Sequence, residues 1–487
     1  PEPRYAFRHP LVRAVSYETQ LRTTRADGHA RLAAAIEARN PAAVEENSAL
    51  IAQHLDAAGE LGAAYAWYMR SGEWLMHRDV NGARGSWERA REIADGLPDD
   101  EEGVISNRIA PRALLTFTGW KVGSTLDSVR WFDDLRQLAT QSGDLLSLAK
   151  GISGRLDSMV VGERRIREGL AMASELLELV DKVNGTPAEM AEMLLTIAVA
   201  QYAGCEFAQA VHTLDRMREM AAELTGCELA PACCIAGVIK IITGEREEGR
   251  RDLDEGLRLS RADHPLTHSI AVGWNTDLVV LGFELADEAL LQEARDALRM
   301  AESIGDASAL DLARWAYGTA LLRSDDTHYG AGVDLIRQSR AGFLNNFVGT
   351  WCDAELAGEM ARHGSSDDAA IGALQSAVQS GIDMGDKFFV GYPTAVLVRL
   401  LTLRGGATDA QEARDVVARF EAELPPDPEP ALQLWPLQCR ALLASAVGDR
   451  VGYSHIVIRY RELAEEVDAR GHLATARQLE ADSDLLP

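Results

Sequence analysis

Apolar and polar positions along the chain repeat on a scale much longer than a helical turn. A small residue is followed four positions later by a large one, and three positions after that by a small or apolar one. The pattern reads Ala83–Trp87–Ala90, Ala210–Leu214–Met217, Gly249–Leu253–Gly256, Gly332–Ile336–Ser339 and Ala370–Leu374–Ala377. Looser copies begin at Ser128, Gly169, Leu290, Ala413 and Tyr453. The ten starts lie 45, 41, 41, 39, 41, 42, 38, 43 and 40 residues apart, a period of about 41. Positions i, i+4 and i+7 share one helical face. Each such segment follows another apolar-periodic one, for example Met190, Met193, Leu194, Ile197 and Gln201. Two helices of about 14–18 residues with short turns fill one period, so the repeating unit is a helical hairpin. No single hairpin can bury its apolar face, and neighbours must stack. The pattern therefore predicts an all-α fold, a right-handed α-solenoid of about ten hairpins. Gly143–Asp144, Gly305–Asp306 and Gly385–Asp386 follow three of the second helices; Gly suits the left-handed position after a helix and Asp can cap the next one. Two stretches interrupt the rhythm: LPDDEEGVISNRIAP (97–111), which coincides with the longest interval, and PPDPEP (425–430), expected as a loop.

In the first unit Trp67, Ser71, Trp74, Ala83, Trp87 and Ala90 have the spacing of a tetratricopeptide repeat, and the chain resembles that repeat class with a period longer than its usual one. Trp67, Trp274, Trp315, Trp351 and Trp435 each precede a repeat start by 16 to 19 residues. A tryptophan kept in register with the repeat is expected to fill the gap between paired helices; the alternative is an aromatic lining for a ligand.

Charge narrows the function classes. The net charge of −26 argues against a nucleic-acid surface, which needs clustered cations. The 487 residues include six cysteines, at 205, 227, 233, 234, 352 and 439, with no CxxC pair; buried, reduced thiols in a cytoplasmic protein are expected. No uninterrupted apolar run approaches the ~18–20 residues of a membrane span; the nearest, residues 229–242, contains Pro231 and Lys240.

Catalytic motifs are missing. None of the five lysines (121, 150, 182, 240 and 387) follows a glycine, so there is no P-loop, and neither HExxH nor GxSxG occurs. Ser147 and Lys150 have S-x-x-K spacing without the companion elements of that chemistry. His264 and His268 are four apart, as two metal ligands on a helix would be, but Pro265 marks a helix start and no third ligand is nearby. No metal and no cofactor is expected in this chain.

The first 40 residues differ from the rest. Seven Arg against four acidic residues give them +3 and leave −29 for the remainder. The stretch FRHPLVRAVSYETQLRTTRADGH resembles the last winged-helix segment of signal-transduction ATPases with numerous domains. The continuation AAYAWYMRSGEW…GARGSWERAREIADGLPDD…RIAPRALL resembles large actinobacterial, especially mycobacterial, proteins. Those carry a class III adenylate/guanylate cyclase domain, then an ATPase module, then tetratricopeptide-like repeats. The distinctive likeness covers residues 1–120 or so. It implies a winged-helix tail at 1–40, a first repeat block at 41–110 and a superhelical sensor domain at 111–487. It also implies a non-catalytic regulatory and protein-interaction role, controlling cyclic-nucleotide output. The implied partners are the upstream ATPase and cyclase domains and a protein or small-molecule effector, with ATP or ADP bound upstream. In that family a winged-helix histidine contacts the nucleotide phosphate; His9 occupies its place, with Arg8 and Pro10 where the family has Met and Asp. A LuxR-type ATP-dependent transcription regulator shares the layout, and a stand-alone repeat scaffold is a third reading.

Two surface expectations follow. Residues 1–40, basic beside an acidic body, should dock on the first repeat helices and cover Phe7, Leu11, Val12, Val15, Leu21, Leu32 and Ile36. The concave surface of a solenoid comes mostly from the first helix of each pair. There Lys121, Lys240, Asn275 and Tyr392 break otherwise apolar runs and are the candidate groove for a partner, a cationic one given the acidic body.

Overall fold

A computed structural model of the chain describes residues 9–39, 41–76, 78–119, 125–261, 265–304, 306–324, 328–342, 347–362 and 368–483. Among these there are 24 α-helices and no strand. The chain divides into two compact units, Pro1–Arg155 and Leu156–Pro487. The acidic stretch 97–111 lies inside the first of them.

The first unit holds α1 (Pro10–Glu18), α2 (Arg22–Arg39), α3 (Ser48–Ala58), α4 (Leu61–Leu75), α5 (Val80–Asp95), α6 (Val104–Phe117) and α7 (Thr125–Ser142). The boundary falls near the end of α8 (Leu145–Asp157). The second unit continues with α9 (Ile166–Val180), α10 (Pro187–Ala203), α11 (Phe207–Glu219), α12 (Gly226–Ile242), α13 (Arg246–Ser260), α14 (Pro265–Val280), α15 (Glu288–Ile304) and α16 (Ala307–Ser324). It ends with α17 (Tyr329–Gly342), α18 (Phe347–Arg362), α19 (Asp368–Asp383), α20 (Gly391–Arg404), α21 (Asp409–Ala422), α22 (Pro430–Ala446), α23 (Arg450–Glu466) and α24 (Arg470–Ser483).

The ten repeat starts fall on the odd-numbered helices α5 to α23, at the third to fifth residue of each. Where the two helices of a pair cross closely that position needs a small side chain, whereas α15 and α23 place buried Leu290 and Tyr453 there. A Cβ on Gly249 would lie 2.6 Å from the carbonyl oxygen of Gly237 on α12, and one on Gly237 would meet Gly249 equally closely. Gly256 faces α12 in the same way, 2.4 Å from Cys234 Sγ and 2.9 Å from the Ala230 carbonyl. The large residue four positions on fills the space beside the crossing: Trp87, Leu214, Leu253, Ile336 and Leu374 are all fully buried. In the first unit the partner of Trp87 gives way instead, since Gly72 on α4 has no room for a Cβ against the indole.

Two of the three Gly–Asp turns follow the expected chemistry, whereas Asp386 caps no helix, since α20 starts at Gly391 behind Val390. Gly143 and Gly385 have φ of +73° and +87°. Asp144 and Asp306 accept from the amides three residues on, Ser147 at 3.0 Å and Ala309 at 2.8 Å. Gly305 lies outside the described residues. The segment 425–429 is a loop, but Pro430 opens α22, where its missing N–H costs nothing. Thr186 with Glu189 and Thr225 with Glu228 form reciprocal capping boxes at the starts of α10 and α12.

The N-terminal helices dock only in part. α2 lies on α3 through buried Ala33, and a chain of rings joins them: Tyr17 Oη to His29 Nε2 at 2.7 Å, then His29 Nδ1 to His54 Nδ1 at 2.9 Å. Leu11, Val12, Val15, Leu21 and Leu32 stay 45–75% exposed, contrary to the expected cover, and Ile36 is half-buried. The polar ring contacts, with Ala33, make the junction, and the apolar face of α1 points away from it. Phe7 lies outside the described residues.

Candidate functional site

The residues singled out for the groove are occupied by neighbours. On α12, Lys240 Nζ lies 2.9 Å from Asp252 and 3.6 Å from Glu248, both on α13. On α14, Asn275 is buried and accepts from Arg250 Nη1 at 3.2 Å. On α20, Tyr392 lies beneath the guanidinium of Arg323, 5.0 Å from the ring centroid, and packs against Trp435. Lys121 lies outside the described residues. His9 caps α1, its Nδ1 accepting from the Leu11 amide at 3.2 Å, and is exposed. The second histidine of the HPLTH pair, His268, is buried on α14 between Ser260 Oγ at 3.0 Å and Glu293 at 3.4 Å; His264 lies outside the described residues. Of the register tryptophans, Trp315, Trp351 and Trp435 are buried, whereas Trp67 and Trp274 are half-buried. No helix among the described residues is long and apolar enough to cross a membrane. Nor do three or more His, Cys, Asp or Glu side chains converge there as a metal ligand set.

What the sequence reading missed is a loop. Between α19 and α20 the connection runs from Met384 to Val390, seven residues, where the one between α7 and α8 is only Gly143–Asp144. It carries Phe388 and Phe389, 0% and 5% exposed. The Phe388 ring meets Phe207 and Phe283 with centroids 5.8 and 6.1 Å apart. The Phe389 ring meets Tyr202 on α10 and Trp351 on α18 at 5.3 and 5.7 Å. Trp351 Nε1 donates to the Phe389 carbonyl at 2.8 Å, and Trp315 stacks on Trp351. Trp274 closes edge-on to Tyr202 at 5.5 Å. Rings from α10, α11 and α18 and from the turn after α14 thus surround a segment of the chain itself.

An ion pair fastens the loop. Arg164 Nη2 reaches Asp386 Oδ2 at 2.5 Å, and Arg164 Nη1 donates to Thr350 Oγ1 at 3.1 Å. Both partners are buried, with side-chain exposures of 10% and 1%. Asp386 Oδ1 also accepts from the amides of Phe388 and Val390 at 3.1 and 3.2 Å, so its whole carboxylate is engaged. Beside it, Arg167 donates through its amide to the Met384 carbonyl at 3.4 Å and pairs with Glu423 at 2.8 Å. Further along, the Arg470 and His472 amides donate to the Phe283 and Gly282 carbonyls at 3.1 and 2.8 Å, and Arg246 pairs with Glu284 at 2.7 Å. Within the second unit, then, hairpins far apart in sequence meet through their turns.

The turns that enter this contact are strained. Gly244, Gly282, Gly405 and Gly448 follow first helices with φ between +65° and +94°. At the two corresponding positions beside the loop stand Arg164 and Cys205, with φ of +59° and +62°. A left-handed conformation costs a non-glycine residue about 1–2 kcal/mol. It is retained here by residues that face Asp386: Arg164 pairs with it, and burial, with Asp386 adding, pushes the Cys205 thiol up. Glycine holds the matching turn position after α12, α14, α20 and α22, which is what sets Arg164 and Cys205 apart. Nearby, burial drives the Asp277 carboxyl and the Tyr202 phenol well above their ordinary ranges. Tyr202 Oη is buried and has no hydrogen-bond partner among the described residues.

No family model and no curated protein sequence matches the chain. Among solved structures it is similar to a crystal structure of Rap protein complexed with competence and sporulation factor, at 12% identity and a TM-score of 0.50. The match covers 74% of this chain and 99% of that one. A likeness this distant in sequence shows the fold: the chain is a stack of tetratricopeptide-like helical hairpins.

Proposed function

We propose that this chain is a non-catalytic regulatory and sensor domain that works by binding a protein or peptide partner. In this reading it belongs to a multidomain adenylate cyclase–ATPase signalling protein and controls its cyclic-nucleotide output. One observation supports the binding role above others. In the second unit, aromatic side chains of α10 and α18 and the guanidinium of Arg164, in the turn before α9, close on a segment of peptide chain, as repeat stacks close on partners. The Rap protein of similar fold was solved in complex with competence and sporulation factor, which agrees with a ligand-holding stack. The cyclase and ATPase setting rests on the resemblance of residues 1–120. Control of output requires the partner to favour one conformation of the whole protein over another.

The test is made on the intact polypeptide encoded by the reading frame that contains this chain. Purified, it should form cyclic AMP, and removing residues 156–487 should change that rate several-fold. Residues 1–487 alone should neither hydrolyse ATP nor form cyclic AMP. An intact polypeptide that makes no cyclic nucleotide, or whose rate ignores the deletion, refutes the cyclase setting. Turnover by 1–487 that a point substitution abolishes refutes the non-catalytic reading.

A further inference from the structure

The connection from α19 to α20 meets the second unit as a bound peptide would meet a receptor. Its carboxylate, on Asp386, enters a buried cationic site made by Arg164 and Thr350. Its backbone is read where Trp351 Nε1 donates to the Phe389 carbonyl and where the Arg167 amide donates to the Met384 carbonyl. Its two adjacent aromatic rings enter adjoining enclosures, Phe388 that of Phe207 with Phe283 and Phe389 that of Tyr202 with Trp351, which meet where Tyr202 touches Phe207. Charge pairing, main-chain contacts and two side-chain enclosures together specify a short motif. Two further features separate this region from ordinary core. Backbone strain is kept at Arg164 and Cys205, where the other turns of this kind use glycine, and strain of this sort concentrates at ligand clamps. Tyr202 Oη, buried in the wall around Phe389, is left without a partner among the described residues, so the site has a polar group that its present occupant does not use.

We propose that the cluster of Arg164, Tyr202, Phe207, Phe283 and Trp351 in the second unit is a peptide-binding site which the chain fills with its own Gly385–Val390 segment. The ligand class it takes is a short segment with a carboxylate two residues ahead of an adjacent aromatic pair, Asp-x-Phe-Phe in the occupant present here. This rests on the partner-binding reading and names the partner's chemistry. A tethered segment competes at an effective concentration of order mM, so an outside peptide gains the site only when the loop is released. Release opens the Arg164–Asp386 contact, and through it the joint between hairpins 222 residues apart. Occupancy of the site and closure of the unit are therefore one equilibrium.

The experiment uses the full chain with Gly385–Val390 replaced by a Gly-Ser segment of equal length, titrated with the synthetic peptide DMGDKFFVG (residues 383–391) labelled with a fluorophore. Saturable binding is expected, at least about 100-fold tighter than to the wild-type chain, whose own loop competes. The same peptide with both phenylalanines changed to alanine should not bind. No binding by a replaced chain that keeps its helical circular dichroism overturns the proposal. If the replaced chain folds only when the peptide is added, the peptide has acted as ligand and the proposal stands. If it fails to fold even then, Arg164→Met decides through hydrogen exchange. Faster exchange confined to the amides of 386–390 supports a releasable segment, whereas loss of protection across the whole unit makes the loop plain core and overturns the proposal. None of these outcomes bears on cyclic AMP formation by the intact polypeptide, so the two readings fail separately.

Discussion

Replacing Arg164 by Met removes the guanidinium that fastens the α19–α20 loop and keeps most of the stem that fills the space around it. Asp386 is then left 1% exposed without a counter-charge. Removing one member of a buried ion pair costs about 3–5 kcal/mol, because the remaining charge keeps its desolvation penalty. Here the low end applies, since Asp386 still accepts from the Phe388 and Val390 amides. The loss expected for Arg164→Met is therefore about 3 kcal/mol. Arg164→Gly loses the same pair but also relieves a residue held at φ +59°. That relief is worth about 1 kcal/mol, so Arg164→Gly should be less damaging than Arg164→Met by that amount, although it removes more atoms. The ordering is the diagnostic, because a cavity argument alone gives the reverse. Urea unfolding followed by tryptophan emission measures it, with hydrogen exchange assigning each transition to its unit, since two compact units need not unfold together. Equal losses for the two variants, or losses below about 0.5 kcal/mol for both, would refute the reasoning.

Five further outcomes are expected. Gly249→Ala should destabilise the second unit by about 1–3 kcal/mol, because the new methyl meets the Gly237 backbone, which cannot yield. Gly85→Ala, with nothing within 4 Å of the new methyl on an exposed helical position, should stabilise the first unit by about 0.5–1 kcal/mol; melting curves of the two variants check both signs. Burial lowers the pKa of His472 from 6.5 to about 3, so the folded form binds fewer protons between those values. Stability from this group is complete above pH 6.5 and falls by about 1.4 kcal/mol per unit as the pH drops toward 3. Asp277 acts in the opposite sense. Burial raises its pKa from 3.8, so its neutral form is favoured in the fold and stability is lost as the pH climbs above that value. Denaturation midpoints across pH 4–8 should therefore show Asp277→Asn gaining on wild type as the pH rises; a constant difference would sink this assignment. Finally, burial raises the thiol pKa values of Cys205, Cys233, Cys234, Cys352 and Cys439. A disulfide reagent should modify the four buried ones, all but Cys205, only at the rate of unfolding, and burst labelling of any of those four in native protein would contradict their burial.

The hairpins were legible because the crossing of two paired helices is a local event. Where the crossing is close it demands a small residue near the start of the second helix and a large one a turn later, and that demand recurs at Ala83, Ala210, Gly249, Gly332 and Ala370 whatever lies elsewhere in the chain. Trp315, Trp351 and Trp435 were legible for the same reason, being tied to the repeat. Their second role was not, since the partners of Trp351 include a loop carbonyl 38 residues away. Lys240, Asn275 and Tyr392 stood out as polar residues in apolar runs. The sequence could not say that Asp252, Arg250 and Arg323 would meet them. The exposed face of α1 fails the expectation for a related reason: amphipathicity shows that a face needs cover, not which element supplies it. Arg164 and Asp386 carry no mutual signal in one sequence, being 222 positions apart.

That long contact changes what kind of array the second unit is. In an open solenoid each repeat touches only its neighbours, so stability is a sum of local terms and the ends fray first. Here Arg164 and Arg167 hold the turn at 383–386, the Gly282 and Phe283 carbonyls hold the start of α24, and Arg246 lies 3.6 Å from Asp468. Repeats early and late in the second unit are thereby coupled, and neither can open without losing contacts to the other. The loop with Phe388 and Phe389 stands where those couplings meet. A change at this one segment is felt by repeats on both sides, which a nearest-neighbour stack does not allow. A sensor needs that property, because a ligand that contacts a few residues must bias an arrangement much larger than itself. The strained turns at Arg164 and Cys205 set the sense of the bias, since opening the loop contact frees both residues to leave the left-handed region. On the proposed peptide-site reading, the buried ion pair and the two ring enclosures hold the loop in place against a standing backbone cost, and a ligand that replaced those interactions would let the relief of strain favour release of the loop.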